Sequence, residues 1–169
     1  ENHAQEESAS APVIAARDNS VLLSWTENNP VDGGADLYVS AFDREAWYPI
    51  GAALDRTVAQ TVYGSSIAIT GDGAPIVAWA ERDPSTARDN VYVARWNGLT
   101  WTSLGDRLNS DTGTTLLPSI ALDDADLPTV AFPQLGNGAV VRLQHFNGSM
   151  WEDVTNPLVF SDLPLSVRL

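Results

Sequence analysis

The chain contains no cysteine and no lysine, only two histidines and one methionine, and no apolar run near the length a membrane helix needs. Without cysteine there is no disulfide framework, no thiol nucleophile and no thiolate metal site. His3 and His145, isolated from one another in sequence, form neither a metal set nor a triad. With no lysine, the basic residues number 9 against 22 acidic ones, a formal net charge of −13. A nucleic-acid partner needs a basic stripe to displace counterions, and none can be drawn on this chain. Such acidity speaks to solubility in an extracellular or saline medium. Residues 1–11 (ENHAQEESASA) are polar and lack the apolar stretch of a signal peptide, so they read as a leader or linker.

What the chain has is a repeat. Trp25, Trp79 and Phe132 lie 54 and 53 residues apart, and Trp47, Trp101 and Trp151 lie 54 and 50 apart. Tyr38 and Tyr92, Gly51 and Gly105, and Leu54 and Leu108 keep the offset of 54. Ile67-Ala68 recurs as Ile120-Ala121 and Asn97-Gly98 as Asn147-Gly148. A period near 50 residues is the signature of a repeat architecture. It also assigns the recurring residues to packing before any other role.

Within each repeat, short β-branched and aromatic segments alternate with turn signals, and none sustains helical spacing. The first repeat predicts strands near 12–16, 21–27, 36–43 and 47–50. The second predicts 66–70, 75–81, 90–97 and 101–104, and the third 119–122, 128–133, 139–147 and 151–154. Gly71-Asp72-Gly73 and Asn97-Gly98 are tight-turn sequences. Asn147-Gly148-Ser149 matches a glycosylation sequon, yet it occupies the same hairpin turn as Asn97-Gly98 and reads as that turn. The second strand is apolar on both sides: Val77 and Trp79 point one way, Ile76, Ala78 and Ala80 the other. A strand buried on both faces belongs inside a stack of sheets. The small residues Ala15, Ala68 and Ala121 suit the first strand of each repeat to a crowded centre.

Four antiparallel strands per repeat, stacked face to face about an axis, define a β-propeller blade. The expected fold is therefore all-β, a partial propeller of three four-stranded blades. Blade one covers 12–64, blade two 65–117 and blade three 118–162, and 163–169 reads as the innermost strand of a fourth. Propellers close with roughly four to eight blades. The missing blades are expected from the same longer chain, from self-association, or from a complementing subunit.

The phrases SSIAITGDGAPIVAWAE, NVYVARWNGLTWTSLG and PSIALDDADLPTVAF resemble the repeats of secreted and cell-surface bacterial β-propeller proteins, broadly sialidase-like or kelch-like. The resemblance spans about residues 11–169 and implies a fold. It does not carry an activity: Thr70-Gly71-Asp72-Gly73 places an acid where the sialidase Asp-box has one but departs from the box's spacing, and the arginine cluster and Tyr/Glu pair of those enzymes have no counterpart here.

Several residues remain candidates for chemistry. Glu27 and Glu81 each follow a core tryptophan by two, at the strand end that faces the central ligand side of a propeller. They read either as strand-end carboxylates binding backbone N–H groups or as a pair able to hold a cation or move a proton. Recurrence with the repeat favours the structural role. The loops Asn28–Ala35, Arg82–Asp89 and Gln134–Gly138 differ between repeats, as binding loops on a constant scaffold do. Arg82, Asp83, Arg88 and Asp89 make the second loop the richest in hydrogen-bonding groups. Asp123, Asp124 and Asp126 place three carboxylates in one turn, which reads as Asx-turn chemistry or as ligands for calcium, the one cofactor the sequence admits.

The sequence thus reads as a non-catalytic extracellular or cell-surface module that binds a glycan or protein ligand or scaffolds a larger assembly. The alternative is a blade segment of a sialidase-like or other glycan-processing enzyme whose active residues lie elsewhere.

Overall fold

The computed structural model describes residues 8–31, 33–56, 59–109, 113–136 and 138–160. Residues 163–169, expected to begin a fourth blade, lie outside these. Fourteen strands and no helix occupy the described chain, so no helix is long and apolar enough to cross a membrane. The first sheet has the order β1 (Ala9–Arg17), β2 (Ser20–Asn28), β3 (Ala35–Phe42), β4 (Trp47–Pro49). The second follows with β5 (Val62–Ile69), β6 (Pro75–Asp83), β7 (Arg88–Trp96) and β8 (Trp101–Ser103). The third has β10 (Ser119–Leu122), β11 (Pro128–Gly136), β12 (Gly138–Phe146) and β13 (Trp151–Asp153). Two short strands join it: β9 (Thr114–Thr115) pairs with β11 and β14 (Leu158–Phe160) with β12. Within each set of four, consecutive strands pair antiparallel.

Register repeats with the sequence. Trp25 lies opposite Tyr38 and Trp79 opposite Tyr92, with ring centroids 5.9 and 5.8 Å apart. At the outer hairpin Phe42 faces Trp47, Trp96 faces Trp101 and Phe146 faces Trp151, at 5.2, 5.4 and 5.3 Å. Each of these hairpins is closed by an Asx side chain whose Oδ1 accepts two backbone N–H groups. Asp43 takes Glu45 and Ala46, Asn97 takes Leu99 and Thr100, and Asn147 takes Ser149 and Met150, all at 2.8–3.0 Å. This is the turn chemistry that favours Asp and Asn at such positions.

The second sheet is covered on both faces, as the two-sided apolar pattern of β6 requires. On one side Val77 and Trp79 join Leu22, Leu37 and Val39 of the first sheet, with Ile67 and Ile69 from β5. On the other, Ile76, Ala78, Val91 and Val93 meet Ile120, Val130 and Phe132 of the third. Leu54 and Leu108, each in the connection that follows a sheet, fill equivalent positions in the two cores. Polar links between the sheets fix the stacking: the Ser24 and Ser65 hydroxyls meet at 2.9 Å, and the Ile120 N–H donates to Ser66 Oγ at 3.1 Å. At the β1, β5 and β10 ends three sheets converge. Arg17 Nη1 donates to the Ile69 carbonyl (3.1 Å) and to Asp126 Oδ1 (2.9 Å), while the Gly71 N–H donates to Asp126 Oδ2 (2.7 Å).

A second tie runs between neighbouring sheets at the opposite strand. The Trp101 indole N–H donates to the Ile50 carbonyl of the first repeat (3.1 Å), and that of Trp151 to the Leu104 carbonyl of the second. Gly51, with φ +68°, makes room for this: a Cβ there would stand 2.6 Å from Trp96 Cζ3 and 2.9 Å from Trp101 Nε1.

Candidate functional site

On a strand, residues two apart share a face. Trp-x-Glu therefore places an indole N–H beside a carboxylate, and both copies use it. Trp25 Nε1 donates to Glu27 Oε1 at 2.6 Å, and Trp79 Nε1 to Glu81 Oε2 at 2.9 Å. Glu27 and Glu81 are 3% and 1% exposed. The Arg56 backbone N–H also reaches Glu81, at 2.9 Å from Oε2 and 3.1 Å from Oε1. Arg56 belongs to the connection between the first two sheets, so Glu81 pins that connection to β6, while the Arg56 guanidinium lies 4.6 Å from the Tyr92 ring centre. The counterpart in the third repeat, Gln134, packs against Gly113, where a Cβ would meet its Cγ at 2.6 Å. Beside the first pair, burial and then the charges of Asp36 and Glu27 push the Tyr38 phenol up to about 12. Burial likewise raises Tyr92.

The segment 82–89 is less of a loop than the sequence suggests. β6 runs to Asp83 and β7 starts at Arg88, in the registers Arg82↔Asp89 and Asp83↔Arg88. Arg82 and Asp89 form an ion pair at 3.2 Å across the strands, and Thr114 Oγ1 accepts the Asp89 N–H at 2.9 Å. Asp83 Oδ1 accepts the Ser85 hydroxyl (2.6 Å) and N–H (2.8 Å), the hydroxyl foremost in holding its carboxyl down at about 2. The other two variable segments shorten in the same way, since β2 extends to Asn28 and β11 to Gly136. Cross-strand pairing continues past the apolar stretch because backbone hydrogen bonds do not need apolar side chains.

The three aspartates of the β10–β11 turn go separate ways. Asp123 Oδ1 caps the turn through the Ala125 and Leu127 N–H groups, both at 2.9 Å, with His145 Nε2 3.8 Å from its other oxygen. Asp126 serves Arg17 and Gly71, and Asp124 is exposed. Among the described residues no group of three or more acidic or histidine side chains is gathered to hold a metal ion.

A large opening lies where no sequence signal pointed. A cleft of about 770 Å³ separates the first and second sheets at the edge formed by the turns after β1, β3, β5 and β7. Phe42, Asp43 and Asn19 line it from the first repeat, and Asp72, Arg95 and Trp96 from the second. Arg95 pairs with Asp72 at 3.5 Å, the two side chains 36% and 67% exposed. The Thr70 hydroxyl, Ala74 N–H and Arg95 charge hold the Asp72 carboxyl below the usual range, Thr70 foremost. A smaller recess of about 210 Å³, bounded by Arg17, Asn19 and Gly71, adjoins it.

No family model matches the chain, and no curated protein matches it. Solved structures do. One, described as a BT0996 RGII complex, aligns with a TM-score of 0.58 at 13% identity over 92% of this chain. The likeness is one of fold, and this chain covers 59% of the length of that one.

Proposed function

We propose that this chain is an arc of a β-propeller, a non-catalytic binding or scaffolding module of an extracellular or cell surface, with carbohydrate as its ligand class and further blades completing its ring. The observation that carries the reading is the tie between successive sheets. Trp101 and Trp151 each reach back to a carbonyl of the preceding sheet. Trp47, their counterpart in the first repeat, is 37% exposed, and Ile14 on β1 is 67% exposed where its counterpart Ile67 is buried in the core against the first sheet. The same surface that docks in the second and third sheets is thus repeated on the first, ready for one more sheet. Stacked sheets whose first hairpins converge on Arg17 and Asp126 support radial packing. A fold neighbour in a complex with RGII, a glycan, supports carbohydrate as the ligand class. The non-catalytic part rests on Glu27 and Glu81, whose carboxylates are occupied by indole and backbone N–H groups.

The test is retention on a polysaccharide panel that includes RGII, by affinity electrophoresis, with an assay for new reducing ends and a mass by light scattering. The expected result is retardation by at least one glycan, no new reducing ends, and a species larger than one chain. Release of reducing ends would make the chain part of an enzyme. Absence of retention throughout would remove the carbohydrate reading, and a cooperative monomer of 18.1 kDa would remove the missing blades.

A further inference from the structure

The cleft between the first two sheets is not accounted for by the repeat. Its walls and the Asx residues of its rim follow the period, but the pairing of Arg95 with Asp72 does not. Arg95 corresponds to Ala41 in the first repeat and His145 in the third, in the register set by the three aromatic pairs of the outer hairpins. Asp72 corresponds to Asp18 and, through the shared hairpin register, to Ala125. Neither of the other repeats carries an arginine–aspartate pair at these positions, and both fold without it. A residue pair required by an architecture recurs with it. Nor does the pair act as a strong brace, since an exposed ion pair contributes about 0–1 kcal/mol.

We infer that this cleft binds a neutral oligosaccharide, held against the Trp96 side chain and hydrogen-bonded by Arg95, Asn19 and Ser20. The inference rests on the binding-module reading above and assigns its site. At about 770 Å³ the cleft lies in the size range of small-ligand sites, about 300–1,000 Å³. Its rim is preorganised, because Asp43, Asp72 and Asn97 lock the turns that form it, so little ordering is left to be done on binding. An indole offers an apolar face with a polar edge. Arg95 has five N–H donors, of which Asp72 engages few, and Ser20 and Asn19 add a hydroxyl and an amide at the β1–β2 turn. The charged lining residues are Asp43, Asp72 and Arg95, an acidic balance within a chain of net charge −13. That balance disfavours an anionic ligand, and the polar and charged groups interleaved with the apolar wall of Val21, Phe42, Ile50, Pro75 and Trp96 disfavour a lipid-like one. A chain of uncharged hydroxyls matches both. At the next junction the equivalent turn is drawn shut instead, with Asp126 crossing to Gly71 and Arg17.

The test titrates the protein with cellotetraose, xylotetraose and mannotetraose, with tetragalacturonate as the anionic comparison, by calorimetry and by the indole N–H signals of the tryptophans. Arg95→Ala installs the residue the first repeat carries at that position, so the fold tolerates it. The expected result is binding of a neutral tetrasaccharide that moves the Trp96 indole signal and leaves that of Trp79 in place. Arg95→Ala should weaken it about tenfold or more, with an unchanged melting temperature. Undiminished binding by Arg95→Ala, or a Trp96 signal that stays fixed while a saccharide binds, overturns the cleft and leaves the module reading standing. Preference for tetragalacturonate overturns the neutral class. Failure of these probes together with failure of the whole polysaccharide panel overturns both.

Discussion

Trp79 offers the sharpest test of how the array is held. It is 2% exposed, packs into the core between the first two sheets, and donates its indole N–H to a carboxylate that also holds the Arg56 connection. Emptying a core aromatic site costs about 3–5 kcal/mol. Loss of a hydrogen bond to a buried charge, about 1.5–3 kcal/mol, puts Trp79→Ala at the upper end of that range. With a urea slope of about 2 kcal/mol per M, the midpoint should fall by about 2 M. Trp79→Phe weights the two contributions differently, since it keeps most of the volume and removes the donor. It should cost about 1.5–3 kcal/mol. Glu81→Gln keeps the size of the acceptor and removes its charge, and the double variant with Trp79→Phe should cost clearly less than the sum of the singles, because both break one interaction. Urea unfolding followed by far-ultraviolet circular dichroism reads all four proteins. Strict additivity would refute the indole–carboxylate tie. A Trp79→Ala protein with an unchanged midpoint but lost ligand binding would show that the side chain is a recognition platform and not core.

Gly51→Ala should destabilise the chain by about 1–3 kcal/mol, since the new methyl meets Trp96 and Trp101 and sits at φ +68°; thermal melting reads it, and a neutral outcome would mean the two tryptophans yield freely. Alkaline pH isolates the tyrosines, because without lysine or cysteine no other side chain titrates between about 9 and 12. The Tyr38 phenol keeps its proton in the folded chain up to about 12 but loses it near 10 when unfolded, so stability should be full below pH 10 and decline as the pH rises toward 12. Tyr38→Phe should flatten part of that decline in urea midpoints taken at pH 8, 10 and 11; an unaltered decline would place the effect on other tyrosines.

The all-β class and most strands were legible because two signals coincide: alternation within a strand and recurrence across repeats. β10, Ser119–Leu122, falls where the pattern put it. β9 and β14 were not legible, being two and three residues long and too short for alternation to register. β5 starts four residues early, at Val62, since a register shift between Val62 and Gly64 interrupts the pattern that marks a strand. The role of Glu81 was half legible. The spacing puts Trp79 and Glu81 on one face, but that the Arg56 N–H arrives there depends on how the connection folds back. The cleft had no sequence signal, because it exists only between two sheets whose separation is set by contacts 40 to 50 residues apart, such as Gly51 on Trp96 and Trp101.

The meeting of Arg17 with Asp126 has a consequence for how such a chain can change over evolutionary time. In an open linear array each unit touches only its neighbours, and copies can be added or removed in the middle with little disturbance. Here a side chain of the first unit grips a side chain of the third, 109 residues away, around the turn of the second. A copy inserted between them would pull the two apart and leave an arginine and an aspartate without each other. Growth by duplication is therefore steered toward the ends of the series, and the angle from one unit to the next is checked across two steps instead of one.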